Sequence, residues 1–242
     1  MLLNKLREAG RPGRVLFAIA APVEVQAVLH ALGSHASVPA LWACECVTSE
    51  VEVLHVGVSK ANAAGGVAQW LAGQRERYGL VLNVGIAGAL PEADGSGYRS
   101  HVGETVVATH CDFSDEGILT DDGYRDVAEI GFPLDPRSRS TFACDPLALE
   151  VFRPIVSRVG VITAVSTCSA TDELARAIAR RTPALCEAME GAAIGLVCQR
   201  LLQPMIEVRA ISNLTGSRTH QAWDINAALR ALRGVLQRLA PS

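Results

Sequence analysis

The chain has 242 residues, 49% of them hydrophobic and 19% charged, and a formal net charge of −3. That is enough to bury a sizeable core, and the arginines are scattered rather than grouped into a basic stripe that follows nucleic-acid phosphates. No apolar run is long enough to span a bilayer, and Met1 to Gly13 lacks the apolar core of a signal peptide, so a cytoplasmic protein without nucleic-acid or membrane partners is expected.

Seven cysteines, an odd set in which only Cys44 and Cys46 stand close together, suit reduced thiols better than a disulfide framework. No second pair or histidine doublet completes a metal site, and none is expected.

Runs of β-branched and apolar residues alternate with stretches of helical spacing along the whole chain. The pattern predicts strands over Arg14 to Ala20, Val51 to Val58, Leu80 to Val84, Glu104 to His110, Val159 to Val165 and Met205 to Ile211. Helices are predicted over Val23 to Leu32, Ala61 to Ala72, Thr171 to Arg180 and Ala188 to Leu202. The last segment is the clearest helix, since Ile225, Ala228, Leu229, Leu232, Val235, Leu236 and Leu239 repeat at three- and four-residue steps. Pro91 to Ser100 and Ser114 to Ser140 read as surface excursions. The order predicts an α/β fold, a mixed or parallel sheet wrapped by helices, in one domain over residues 1–242 with residues 1–13 as a loose N-terminal extension.

In open α/β sheets ligands settle outside the carboxyl ends of the strands, so the residues there carry the functional reading. Glu24 follows the first strand at the start of a helix; alone it reads equally well as a first-turn acid favoured by the helix dipole. Asn83 to Gly88 is a strand running into closely spaced glycines, a turn that lets either a ligand or a packed neighbour approach the backbone. Lys60, after another strand, reads as a solvated charge. Glu190 lies in an apolar helical start, where a buried carboxylate needs partners such as sugar hydroxyls and a half-exposed one needs none. Arg209 lies on an apolar strand and points to carboxylate partners, with Glu24 and Glu190 as candidates. Ser212 and Asn213 close that strand, Asn213 as a ligand contact or a turn former.

Together, Glu24, the Val84 to Gly88 turn, Met189 to Ala193 and Arg209 to Asn213 form an ordered set that resembles the nucleoside phosphorylase and nucleosidase superfamily. Within it, the chain is similar to the futalosine hydrolases, through Val165-Ser166-Thr167, Thr171-Asp172-Glu173, Ser212-Asn213 with Gly216 and Arg218, and Trp223-Asp224-Ile225. Ala188 and Ala170 depart from the family pattern.

The resemblance implies a three-layer αβα sandwich around a central mixed, twisted sheet, no cofactor, a purine nucleoside as substrate and assembly as a homodimer or larger homo-oligomer. It implies hydrolysis of the N-glycosidic bond of futalosine to hypoxanthine and dehypoxanthine futalosine, in the alternative route to menaquinone. Glu24 would activate the attacking water, Arg209 would help to fix it, Glu190 would bind ribose hydroxyls and Met189 would pack on the sugar. Ser212, Ala87, Gly88, Thr171 and Asp172 join them as substrate-binding residues. Asn213 is the telling position, because adenine-specific relatives carry an aspartate there, whereas an amide offers its NH₂ to the N7 and O6 acceptors of a 6-oxopurine. The aromatic carboxylate arm of futalosine would need a cation or hydroxyl donors, with Arg218, Thr167 and Ser166 as candidates. The alternatives are a methylthioadenosine/adenosylhomocysteine nucleosidase, a purine nucleoside phosphorylase and a non-catalytic nucleoside binder.

Overall fold

The computed structural model describes residues 1–136, 140–219 and 221–239. In chain order its elements are α1 (Leu2–Glu8), β1 (Val15–Ile19), α2 (Pro22–Ala31), β2 (Cys44–Thr48), β3 (Val51–His55), α3 (Lys60–Ala72), β4 (Leu80–Ala89), β5 (Thr105–Phe113), β6 (Gly117–Thr120), β7 (Gly123–Asp126), β8 (Thr141–Ala143), α4 (Pro146–Phe152), β9 (Arg158–Ala164), α5 (Asp172–Arg181), β10 (Cys186–Ala188), α6 (Gly191–Arg200), β11 (Met205–Leu214) and α7 (Ile225–Leu239). The large sheet runs β10-β9-β5-β11-β4-β1-β3-β2, with β8 paired to β5. It is mixed: β3, β1, β4 and β11 are parallel neighbours, whereas β11 and β5 are antiparallel. β10 pairs with β9 and also with β4, through Glu187 opposite Gly88, so one end of the sheet closes on itself.

Every residue of β1 is buried, and β11 is buried from Met205 to Asn213. A strand covered on both faces needs no polar alternation, and β1 reads as a continuous apolar run; β11 adds to its apolar residues the buried pair Glu207 and Arg209, which hydrogen-bond to each other. Helices α2 and α7 pack on each other as one layer, and α3 and α6 as the other. The α7 stripe places Ala228, Leu232, Val235 and Leu236 in the core. α2 begins with Pro22 in its first turn, where the missing N–H costs no hydrogen bond. Thr171 caps α5 by accepting from the Leu174 N–H, with Asp172 and Glu173 in the first turn and Arg180 and Arg181 in the last, matching the helix dipole.

Four local expectations change. Residues 1–13, expected as a loose extension, carry α1, whose Leu2 and Leu6 are buried in the core. Gly85 and Gly88 are not a turn but lie inside β4, which continues to Ala89 because β11 and β10 both pair with it there. Cys186–Ala188, read as leading into a helix, is a short strand, and the helix begins at Gly191. Within the expected excursion after Ser114, β6 and β7 form an antiparallel hairpin.

Candidate active site

The carboxyl ends of β1, β4 and β11 open on a cavity of about 210 Å³. Nine of the expected residues line it: Glu24, Ala87, Gly88, Met189, Glu190, Arg209, Ser212, Asn213 and Arg218. Thr171 and Asp172 do not. Thr171 Oγ1 is committed to capping α5, and Asp172 Oδ1 accepts from the Ser217 N–H at 2.8 Å.

Arg209 organises the floor. It is 1% exposed and sits on β11 opposite Gly85 of β4. Its Nε donates to Glu207 Oε1 at 2.7 Å, its Nη2 to Glu190 Oε2 at 3.0 Å and its Nη1 to the Ile86 carbonyl at 3.4 Å. Glu207 is itself fully buried and also accepts from Asn83 Nδ2 at 3.0 Å and Cys111 Sγ at 2.9 Å. Burial opposes the arginine's charge, but Glu207, Glu190 and Glu24 outweigh it and hold the guanidinium pKa above its ordinary value. Two glycines make room for this cluster. A Cβ on Gly85 would press on Arg209 Nη1 and Glu24 Oε1, and one on Gly191 would overlap the Glu207 carboxylate.

Glu24 is 3% exposed. Its Oε2 accepts from its own helix-start N–H at Ala21 (2.9 Å) and its Oε1 from the Ile86 N–H (2.7 Å). Burial raises its pKa above the ordinary 4.5; Arg209 and the two N–H donors pull the other way without cancelling it, and the Glu190 charge adds to the rise. Glu190, at the entry to α6, accepts from the Ser59 N–H at 3.3 Å on one oxygen and from Arg209 and the Met189 N–H on the other. Ser59 delivers its N–H from φ +98°, ψ 155°, a region that L side chains rarely occupy. The expected solvated charge next to it, Lys60, instead pairs with Asp115 and Glu116.

At the far wall, β11 slips register between Ile211 and Asn213, a bulge that brings Ser212 and Asn213 to the cavity together. The Ser212 hydroxyl is 2.9 Å from Asn213 Oδ1 and 3.2 Å from the Ala87 carbonyl. With its hydrogen on Oδ1, the amide turns Nδ2 toward the Leu214 carbonyl at 3.3 Å and keeps a second N–H for a ligand. Asn213 is 3% exposed and lies within a strand, so it is no turn former.

Sequence reasoning missed several contributors. Glu207 carried a legible signal, the two-residue spacing to Arg209 that puts both on one face of a strand. Glu187, on the short strand β10, also lines the cavity and accepts from both the backbone N–H and hydroxyl of Ser169 at 2.6 Å. Ser59 gave no signal, since its contribution is a backbone N–H. Among the described residues, no group of three or more His, Cys, Asp or Glu side chains is arranged to hold a metal ion, and no helix is long and apolar enough to cross a membrane.

Residues 26–240 match the family model of the phosphorylase superfamily. The chain is 33% identical over 195 residues to a futalosine hydrolase of Streptomyces coelicolor, covering 78% of each protein. It is 34% identical to a futalosine hydrolase of Thermus thermophilus over 77% of this chain and 79% of the relative. The fold superposes with a TM-score of 0.72, at 19% identity and over 93% of this chain and 98% of the other, on a 5′-methylthioadenosine/S-adenosylhomocysteine nucleosidase from Neisseria meningitidis in complex with methylthio-immucillin-A. The chain therefore belongs to the phosphorylase superfamily, among the futalosine hydrolases.

Proposed function

We propose that this protein is an N-glycosyl hydrolase that cleaves futalosine with water, releasing hypoxanthine and dehypoxanthine futalosine. The observation that carries the reading is the shared floor of the cavity, where Glu24 and Glu190 stand on either side of one buried arginine. Breaking the bond between C1′ and the purine leaves positive charge on the ribosyl ring, and carboxylates beside the ring stabilise it. Glu190 binds the ribose hydroxyls, Met189 packs on the sugar and Glu24 takes the proton of the water as its oxygen bonds to C1′. The electron pair of the broken bond leaves with the base, which solvent then protonates. Asn213 shares its free N–H between N7 and O6 as that charge develops, a pattern that fits a 6-oxopurine and leaves a 6-amino group facing a donor.

Water is favoured over phosphate as the nucleophile. Glu24, Glu187 and Glu190 all line the cavity, and its buried cation, Arg209, is already committed to Glu207 and Glu190. An anion entering that floor meets like charges. The same reading carries a cytoplasmic enzyme of menaquinone biosynthesis. It also carries a homo-oligomer, for which the exposed Leu119 and Phe132 offer apolar surface to cover.

The test is incubation with futalosine, inosine and methylthioadenosine in phosphate-free buffer, following free base by chromatography, with a parallel series containing phosphate. Hypoxanthine from futalosine without phosphate is expected. Adenine from methylthioadenosine as the main product, or turnover only with phosphate, overturns the proposal.

A further inference from the structure

The cavity is lined by two cations, and they differ in kind. Arg209 is buried and saturated by carboxylates. Arg218 stands at the mouth, is exposed, and has no carboxylate within ion-pair distance among the described residues. Its guanidinium lies 5.4 Å from the ring centroid of Trp223, which also lines the cavity and is 41% exposed. An uncommitted cation beside an aromatic face is complementary to a carboxylate carried on an aromatic ring.

The rim that carries the pair is built rather than loose. The Arg218 N–H donates to the Ala170 carbonyl at 3.0 Å. Gln221 Nε2 donates to the carbonyls of Ser169 and Gly216 at 3.1 and 2.8 Å, while its Oε1 accepts from Trp223 Nε1 at 3.1 Å. The Asp224 N–H then donates to the Ser212 carbonyl at 2.8 Å, tying the rim to the wall that carries Asn213. Of the other candidates for such a contact, Ser166 and Thr167 do not line the cavity, and the Ser166 N–H is directed to Asp115 Oδ2 at 2.5 Å.

We propose that Arg218 and Trp223 form the subsite for an aryl carboxylate at the non-purine end of the substrate, the guanidinium binding the carboxylate and the indole face packing on the ring. This rests on the futalosine reading. The buried floor holds the reacting centre, so the part of the substrate farthest from C1′ reaches the exposed rim. The subsite selects a nucleoside with that arm over a plain one by tighter binding rather than by faster chemistry.

The experiment compares kcat/KM for futalosine, its carboxamide analogue and inosine, in wild type and in Arg218→Met. In wild type, futalosine is favoured over its carboxamide by about 10- to 100-fold, the scale of one charge-assisted hydrogen-bonded contact. In Arg218→Met that preference collapses to near unity, with the change in KM. Trp223→Leu lowers the futalosine-to-inosine ratio and leaves the carboxylate-to-carboxamide preference in place. If Arg218→Met lowers all three substrates by the same factor, Arg218 reads the purine or holds the rim, and the subsite is refuted. If wild type releases hypoxanthine from inosine but not from futalosine, the functional reading itself falls and the subsite with it.

Discussion

Replacing Glu24 with Gln separates activity from stability in a way that follows from its surroundings. The carboxylate is the group assigned to take the water's proton, and removing a positioned general base costs about 100- to 10,000-fold in rate. Stability moves the other way. Burial raises the folded-state pKa of Glu24 above the value of about 4.5 at which it titrates when unfolded. Below the unfolded value both states are protonated and the neutral side chain's stabilisation is fully present; as pH rises through the folded pKa it is lost. Above the folded pKa the ionised Glu24 therefore costs stability, and a neutral amide relieves that cost.

The amide keeps the stronger acceptor role, toward the Ile86 N–H at 2.7 Å, and sets its NH₂ against the Ala21 N–H, an unmade bond worth about 1–3 kcal/mol. The neutral carboxylic acid presents a donor at the same place, and the raised pKa already includes that loss. Glu24→Gln is accordingly expected to lose at least about 100-fold in kcat and yet melt no lower than wild type at pH 8, with any advantage closing as the pH falls toward 5. Steady-state hypoxanthine release and thermal melts across that pH range test it. A variant that keeps more than about a tenth of kcat, or that melts several degrees lower at pH 8, refutes the reasoning.

Other expectations follow from the same cluster. The acid limb of the wild-type kcat/KM profile lies above pH 4.5, because the base form of Glu24 is lost at a raised pKa; a limb at or below 4.5 assigns the base elsewhere. Arg209→Met leaves Glu24, Glu190 and Glu207 buried without their cation, a loss of about 3–5 kcal/mol, or about 6–20 °C in Tm for a chain of this length, read from thermal melts. Asn213→Asp moves the ratio of inosine to adenosine cleavage at least about tenfold toward adenosine, read from kcat/KM on each substrate. Ser59→Gly relieves the backbone strain at φ +98°, worth about 1–3 kcal/mol before the entropy of glycine is subtracted, and raises Tm by a few degrees while leaving the N–H to Glu190 in place.

The central strands were legible from their β-branched and apolar content: Val15–Ile19 is a continuous apolar run, and Val51–His55 and Met205–Leu214 keep valine, isoleucine, leucine and methionine around a few polar residues. β2 was not, since its alternating Cys44–Thr48 lies at the sheet edge and is half exposed, and β10 was hidden because three residues are too few to carry a period. The glycines of β4 misled for a physical reason. Gly85 reads as turn chemistry along the chain, whereas its missing side chain is the space that Arg209 and Glu24 occupy. The acids and the arginine that line the cavity were visible as polar residues in apolar settings, the costliest kind of exception. Thr171 and Asp172 looked equally polar at a helix start, and there the ordinary demands of capping and loop closure used them up. What a sequence holds least well is a backbone contribution, such as the N–H groups of Ser59 and Ile86 that fix the two glutamates.

The strand order also bears on how the enzyme comes into being. β11 is the last strand in the chain, yet it lies between β4 and β5 at the middle of the sheet and carries Arg209, Ser212 and Asn213. A nascent chain that has emerged only as far as α6 holds Glu24 and Glu190 but neither the cation that balances them nor the strand that fills the place between β4 and β5. Contacts spanning so much sequence form late and slowly. Synthesis therefore leaves the centre of the sheet open until the final strand slides in, bringing Arg209 to Glu24 and Glu190 and giving α7 the surface on which it packs.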